Sequence, residues 1–484
     1  MMTSFLMTTF FNEMEMDMSK AILASMNLIF VIVIWFSPHP QEVSKEAWHL
    51  LALFLGTIFS MISKVIPSGT ACVIALSLSI VTKTLSLDEG LSGFSHPIVW
   101  LVVVAFFIAK GFTKTGLGNR IAYFFIYLMG RNSLCLGYGL ILGDLLISPA
   151  IPSNTARAGG VMFPINKSIA KEFKSFPNTQ SAKKIGEFLM LCSFHGNVVT
   201  SAMFLTAMAA NPLLTQIAKM NGVHISWTDW ALAACLPGLL SLILIPLVIY
   251  AFARPQIKET LQVRDFSIEK LKSMGPLTRQ EKSLIGVFCF LLIGWIYPPF
   301  LGGASSTTVA FLGLALLLLL KVLSWDDIKG EKNAWDTLIW FAVLLTFVTF
   351  LDRFGLVPYF GSILSQMIHS VSAELASLIL ILSYFFIHYF FASTTSQVTV
   401  LYGLFLALGI QLGIPARPFA LLLGFVSSLC GGLTHYSMGH APIFFGEGFV
   451  NIRVWWKIGL LVGLCNLFIW IVFGSLWMKF IGFF

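Results

Sequence analysis

Two short polar strings interrupt long apolar stretches of this 484-residue chain. The first, Ser153-Asn154-Thr155, follows Pro149 and Pro152 and precedes Arg157 and Gly159-Gly160. The second runs Ser393-Thr394-Thr395-Ser396-Gln397, with His388 and Tyr389 shortly before it. Proline stops one helix, and hydroxyls or an amide at the next residues cap the start of another. A helix start carries partial positive charge and free N–H groups, so it suits a carboxylate. No acid stands at either tip. That argues against a cation substrate and a proton relay built from carboxylates, and it fits an anion that needs donors. A capped turn with no ligand is the plain structural alternative, and His388 serves either as a neutral hydrogen-bonding group or as a donor to substrate.

Arg157 decides between them only in part. A guanidinium deep in a membrane costs at least about 2.5–3.5 kcal/mol, so it needs a partner or a purpose. It could grip a substrate carboxylate in a bidentate pair. It could stand behind the tip as a fixed positive charge, in the electrostatic place of a bound sodium ion. It could pair with an acid such as Asp144. Each polar string is followed by a further break: Thr200-Ser201-Ala202 through Thr206 to Asn211-Pro212, and Gly431-Gly432-Leu433-Thr434 through His440-Ala441-Pro442. Glycine and proline interrupting corresponding spans point to a transport site. Thr206 and Thr434 are thereby expected to complete a cradle for a small dianion with Ser153, Asn154, Thr155, Arg157, Ser393, Thr394 and Thr395.

The elements that would hold these residues belong in lipid. Apolar residues make up 57% of the chain and charged ones 11%, against about 25% charged in a soluble domain. Mean hydropathy is +0.86. Water-soluble enzymes and nucleic-acid binders are excluded on that ground. The net charge of +8 reads as an orientation signal in short loops. The seven cysteines are scattered, with no metal-ligand spacing, and act as small buried hydrophobes. No phosphate-binding loop, nucleophile elbow or zinc-protease motif is present, so no cofactor, metal or catalysis is expected. The acidic, Met-rich start lacks the basic opening of a secretory signal.

A helix needs about 20 apolar residues to cross the bilayer core. Such stretches lie near 20–37, 46–64, 68–87, 97–113, 187–210, 230–252, 284–300, 304–323, 335–352, 419–440 and 455–480. Residues 139–165 and 377–413 are broken by the polar tips and read as re-entrant hairpins. Seven Lys or Arg in 254–282, and five Lys between 167 and 184, place those segments in the cytoplasm. The first hairpin then opens inward and the second outward. The halves repeat in order: Trp100 and Trp340 at an offset of 240, the two tips at 240, Asn211-Pro212 and Ala441-Pro442 at 230, Asp229-Trp230 and Trp455-Trp456 at 226. The expected organisation is an N-terminal segment and first span (1–45), a first repeat (46–252), a cytoplasmic linker (253–283) and an inverted second repeat (284–484). The fold class is an all-α polytopic membrane protein of about 11 transmembrane helices plus two re-entrant hairpins.

Pro152-Ser153-Asn154-Thr155-Ala156-Arg157, followed by Phe173-Lys174-Ser175-Phe176-Pro177-Asn178, resembles the divalent anion/sodium symporter family. The closer likeness is to its exchanger branch of 2-oxoglutarate/malate, citrate/succinate and tartrate/succinate carriers. The resemblance runs from about Glu46 to the C-terminus. It implies a homodimer in a bacterial inner membrane or plastid inner envelope. Each protomer would have a scaffold and an elevator-type transport domain made of the hairpins and the spans after them. It also implies that Ser153, Asn154 and Thr155, and in part Ser393 and Thr395, contact substrate carboxylates. Two departures stand out: Thr394 replaces an asparagine at the second tip, and Arg157 follows the first. Two unit charges about 4 Å apart repel by about 4 kcal/mol at an effective dielectric of 20, so a cation fixed here would exclude sodium. The sequence therefore points to sodium-independent dicarboxylate exchange; a sodium-coupled symporter and an anion channel are the alternatives, and nucleic acid is no partner.

Overall fold

The computed structural model describes residues 20–63, 65–356, 359 and 372–484; the acidic, Met-rich start lies outside them. Among the described residues the secondary structure is helical, with one isolated β-bridge, Asn132 to Glu259. Seven helices among the described residues are long and apolar enough to cross a membrane, and four shorter apolar ones accompany them: Lys20–Phe36, Ser68–Val81, Ser306–Leu319 and Ala416–Gly432. Trp227–Phe252 shows how such a helix is built. Ala233, Ala234, Gly238, Ser241 and Ile245 face inward, while Leu239, Ile243 and Leu247 are exposed. One stripe, in which small residues sit beside Trp230, Leu242 and Ile249, packs inward, and an aliphatic stripe faces out; the small residues let neighbouring helices approach closely.

The two halves repeat the same element order. In each, a helix (Ser133–Ile147; Ala373–Ile387) tightens into a 3₁₀ turn (Ser148–Ala150; His388–Phe390) and passes through extended residues to a serine at the tip. A returning arm then passes through a π-helical turn (Ala156–Met162; Val398–Tyr402) and continues as Phe163–Glu172 or Gly403–Gln411. Left-handed backbone marks the same joints twice: Lys83 and Lys321 (φ 59° and 55°), Gly116 and Gly355 (76° and 82°), Lys174 and Gly413 (50° and 76°), Gly222 and Gly448 (78° and 88°). Such a residue ends a helix sharply, and the match at Lys174 and Gly413 persists although the residue types differ.

Three features depart from the apolar pattern. The stretch 187–210 holds a helix only to Met203, because Phe204 turns to extended backbone before Ala210–Met220 begins. The stretch 419–440 ends its helix at Leu429. Leu117–Met129, too short to read as a span, forms a separate helix packed on Leu261–Ser273 of the linker. Arg120 fixes that corner by donating to Glu281 (2.6 Å) and to the carbonyls of Gly275 (2.9 Å) and Met274 (3.2 Å).

The chain divides into two compact units, and the division runs across both halves. One comprises the described residues within 1–99 and 335–367. In it Asn27 donates to the Gly56 carbonyl and to Ser60, and the Gly93 N–H to Thr346. The other, residues 100–334 with 368–484, contains both tips and both breaks. At its centre every residue of Gly186–Met203 is buried, as is Ala416–Leu429 from Pro418 onward; Ser428 Oγ donates to the Val198 carbonyl at 3.0 Å. Each half's helix after the break packs on the other half's returning arm: Ala210–Met220 on Val398–Tyr402, with Ile217 against Gly403, and Ala441–Gly446 on the first arm, with Ile443 against Gly159 and Phe444 against Phe163.

Candidate functional site

At the first tip Ser153 Oγ accepts from the Ala156 N–H (3.1 Å) and Asn154 Oδ1 from the Thr155 N–H (2.9 Å). Both are helix-start amides that lack an intrahelical acceptor. With those caps made, the Ser153 hydroxyl hydrogen, the Asn154 amide nitrogen and the Thr155 hydroxyl are the side-chain donors left on a half-buried surface. At the second tip Ser393 Oγ accepts from the Ser396 N–H at 3.4 Å. Thr394 is buried, and the Thr395 carbonyl accepts from Thr399 at 2.7 Å. Both tips are therefore serine-capped helix starts presenting hydroxyls.

Arg157 lies directly behind the first tip with no exposed surface. Nε donates to Asp144 Oδ1 at 2.9 Å. Nη1 donates to the carbonyls of Ile151 and Ala207, each at 2.9 Å, and Nη2 to Ser201 (2.8 Å) and Thr200 (3.3 Å). All five guanidinium hydrogens are thus engaged inside the protein. Of the three sequence readings, pairing with Asp144 is the one the geometry contains; direct bidentate capture of a carboxylate would require bonds to be given up. Asp144 also accepts from Asn197 Nδ2 (3.0 Å) and from Thr200. The pair is formally neutral, and Nη1 joins the carbonyls of two chain breaks, one at the hairpin and one at 204–208.

The second half builds the same cluster from uncharged groups. Tyr384 stands at the offset of Asp144, Gln397 at that of Arg157, Ser427 at that of Asn197 and Cys430 at that of Thr200. Gln397 Nε2 donates to the Tyr384 carbonyl at 2.7 Å. Gln397 Oε1 then accepts from His388 Nδ1 (2.6 Å) and from Cys430 Sγ (3.3 Å), while Tyr384 and Ser427 share a hydrogen bond of 2.8 Å. His388 is thereby a buried bracing group within the hairpin.

The second break runs from the His388 ring to the first tip. The Ser437 backbone lies beside the His388 ring, and two residues on, Gly439 lies so close to Thr155 that any side chain there would strike its hydroxyl. Thr434, from the expected cradle, is buried with its hydroxyl unpartnered. Thr206 is committed to structure, donating to the Pro149 carbonyl at 2.7 Å and receiving Trp227 Nε1 at 3.2 Å. The sequence reading passed over Asn197, Tyr384, Ser427 and Cys430. Their signal was present as matching offsets of 240 and 230, but unlike residue types concealed it. Among the described residues no group of three His, Cys, Asp or Glu side chains is placed to hold a metal ion.

A sequence profile of the sodium:sulfate symporter transmembrane region matches residues 19–484. The chain is 47% identical to YflS of Bacillus subtilis (strain 168), covering 93% of this chain and 94% of that one. It is 43% identical to chloroplastic dicarboxylate transporter 1 of Spinacia oleracea, over 96% of this chain and 81% of that one. It is 33% identical to the L-tartrate/succinate antiporter of Escherichia coli (strain K12), over 93% and 96%. Among solved structures, the Alcanivorax borkumensis YdaH transporter aligns with a TM-score of 0.55 at 14% identity, over 84% of this chain and 89% of that one. That last likeness is one of fold.

Proposed function

The chain belongs to the sodium:sulfate symporter transmembrane region family, and on that premise we propose that this multi-pass membrane protein exchanges small dicarboxylates without sodium. Relatives named as a chloroplastic dicarboxylate transporter and as a tartrate/succinate antiporter support the substrate class and the exchange mode. The observation that carries the sodium-independent reading is the position of Arg157 Nη1, hydrogen-bonded at 2.9 Å to carbonyls from two separate chain breaks. Carbonyls converging from broken helices are what a small cation would otherwise coordinate. Here a tethered guanidinium fills that role permanently, so the first tip is organised before substrate arrives. Asp144 neutralises its charge, so exclusion of sodium rests on occupancy of the carbonyls more than on long-range repulsion.

In this reading Ser153, Asn154 and Thr155 hold one carboxylate at a helix start, and Ser393 and Thr395 hold the other. The two hairpins and the spans after them move as one body against a scaffold, in an elevator form of alternating access within a homodimer. Arg157 acts as a positioning residue, and no step is catalytic. The test is [14C]malate uptake into proteoliposomes with and without internal dicarboxylate, and with and without a sodium gradient. Uptake is expected to rise with internal counter-substrate and to ignore sodium. Uptake that needs the gradient and ignores internal acid would establish the symporter instead, and non-saturating current would establish a channel.

A further inference from the structure

His440 has no role in the clusters described above. It is fully buried at the end of the second break, and neither ring nitrogen has a hydrogen-bond partner in the protein. Its ring sits beside two aromatic rings that also touch each other, 5.1 Å from the Phe194 centroid and 6.2 Å from that of Phe444. Buried polar groups are ordinarily satisfied, so an imidazole with two idle nitrogens calls for an explanation. The neighbouring residue, Gly439, is the one pressed against Thr155 of the first tip. His440 also lies within electrostatic reach of Arg157 and His195. His195 Nε2 and Thr434 Oγ1, near the same break, are likewise buried and unpartnered.

The corresponding break in the first half shows what a purely structural polar residue does at such a place. There Asn211 donates to the carbonyls of Ser201 (2.8 Å) and Phe204 (3.0 Å), closing the gap in the helix. Ala441 stands at the matching offset in the second half. The polar group has moved one residue upstream to His440, where its ring closes nothing.

We propose that His440 is a specificity-determining residue of the transport site, hydrogen-bonding the 2-hydroxyl or 2-oxo group of a dicarboxylate held at the first tip. This rests on the dicarboxylate reading above. Carboxylate oxygens only accept, and the hydroxyl and amide donors of the tips meet that need. A neutral imidazole carries one donor and one acceptor, which matches a hydroxyl that both gives and takes. Thr434 and His195 belong to the same polar lining.

Malate and succinate differ by that single hydroxyl, so their exchange ratio reads the contact directly. Wild-type protein in proteoliposomes is expected to prefer malate. His440→Phe keeps a ring against Phe194 and Phe444 but removes both nitrogens. It should lower the malate-to-succinate ratio about tenfold, the scale of one hydrogen bond, with succinate exchange retained. His440→Gln keeps a donor and an acceptor at a different reach, and its ratio should fall between the two. An unchanged ratio in a transport-competent Phe variant overturns the proposal, and so does a wild-type ratio in the Gln variant if the Phe variant does not assemble. Wild-type protein that exchanges neither acid overturns the dicarboxylate reading itself.

Discussion

The clusters behind the two tips occupy matching places in the repeat and are built from opposite chemistry. Behind the first, Arg157 and Asp144 form a fully buried ion pair braced by Asn197, Thr200 and Ser201. Behind the second, Gln397, Tyr384, Ser427, Cys430 and His388 fill the corresponding positions with neutral groups. Both networks tie the tip to the helix entering the hairpin and to the central helix beside it. The lesson is that the repeat specifies hydrogen-bond connectivity, while charge is a separate choice made in one half only. A buried ion pair of this kind is a poor source of stability compared with apolar packing, yet removing one partner is severe. It suits a group whose task is to hold two chain breaks at a fixed separation.

The comparison breaks most readily at the charged cluster. Arg157→Ala should abolish exchange and lower the unfolding stability by about 3–5 kcal/mol, because Asp144 is left buried without its counter-charge. Thermal unfolding in detergent together with counterflow measures both. The paired change Arg157→Met with Asp144→Leu should recover much of that stability but not exchange, since apolar groups of similar volume replace the ion pair without bonding the Ile151 and Ala207 carbonyls. Recovery of exchange would show that the tip does not depend on those bonds. Gln397→Leu tests the neutral cluster and should cost about 1–3 kcal/mol by leaving the Tyr384 carbonyl and His388 without their partner. A loss as large as that of Arg157→Ala would erase the distinction between the halves.

Smaller effects sharpen the picture. Joint replacement of Ser153 and Asn154 by alanine should reduce exchange more than replacement of Ser393 alone. The first tip offers an amide donor that the second lacks, and initial rates of malate uptake check the order. Lys167 pairs with Glu447 at 2.6 Å, joining the first returning arm to the segment after the second break, but the lysine is more than half exposed. Lys167→Ala should shift stability by no more than about 1 kcal/mol, which thermal unfolding would register as a marginal change.

The tips were legible in the sequence because proline, serine and asparagine have local meanings: they stop and cap helices whatever lies around them. The breaks were legible for the same reason, through Asn211-Pro212 and Gly431-Gly432. The partners of Arg157 were only partly legible. Asp144 could be named as a transmembrane acid, but the role of the Ile151 and Ala207 carbonyls could not, because backbone acceptors carry no sequence signature. Thr206 drew attention as a hydroxyl near a break, and the fold spends it on the Pro149 carbonyl. The short helix Leu117–Met129 carries no such signal, because a 13-residue segment is below the length that hydropathy alone resolves.

By itself the sequence determined that this chain lives in lipid, that it repeats, and where its helices must stop. Those properties follow from composition, from the order of landmarks and from residues whose backbone preferences are local. The tertiary structure alone decided which donors remain available at each tip. It also exchanged the post-break helices between the halves, turned Arg157 inward onto two carbonyls and left His440 idle. Such outcomes depend on groups well separated in sequence being brought together, as Arg157 and the Ala207 carbonyl are across 50 residues, and no local preference of the chain encodes that meeting.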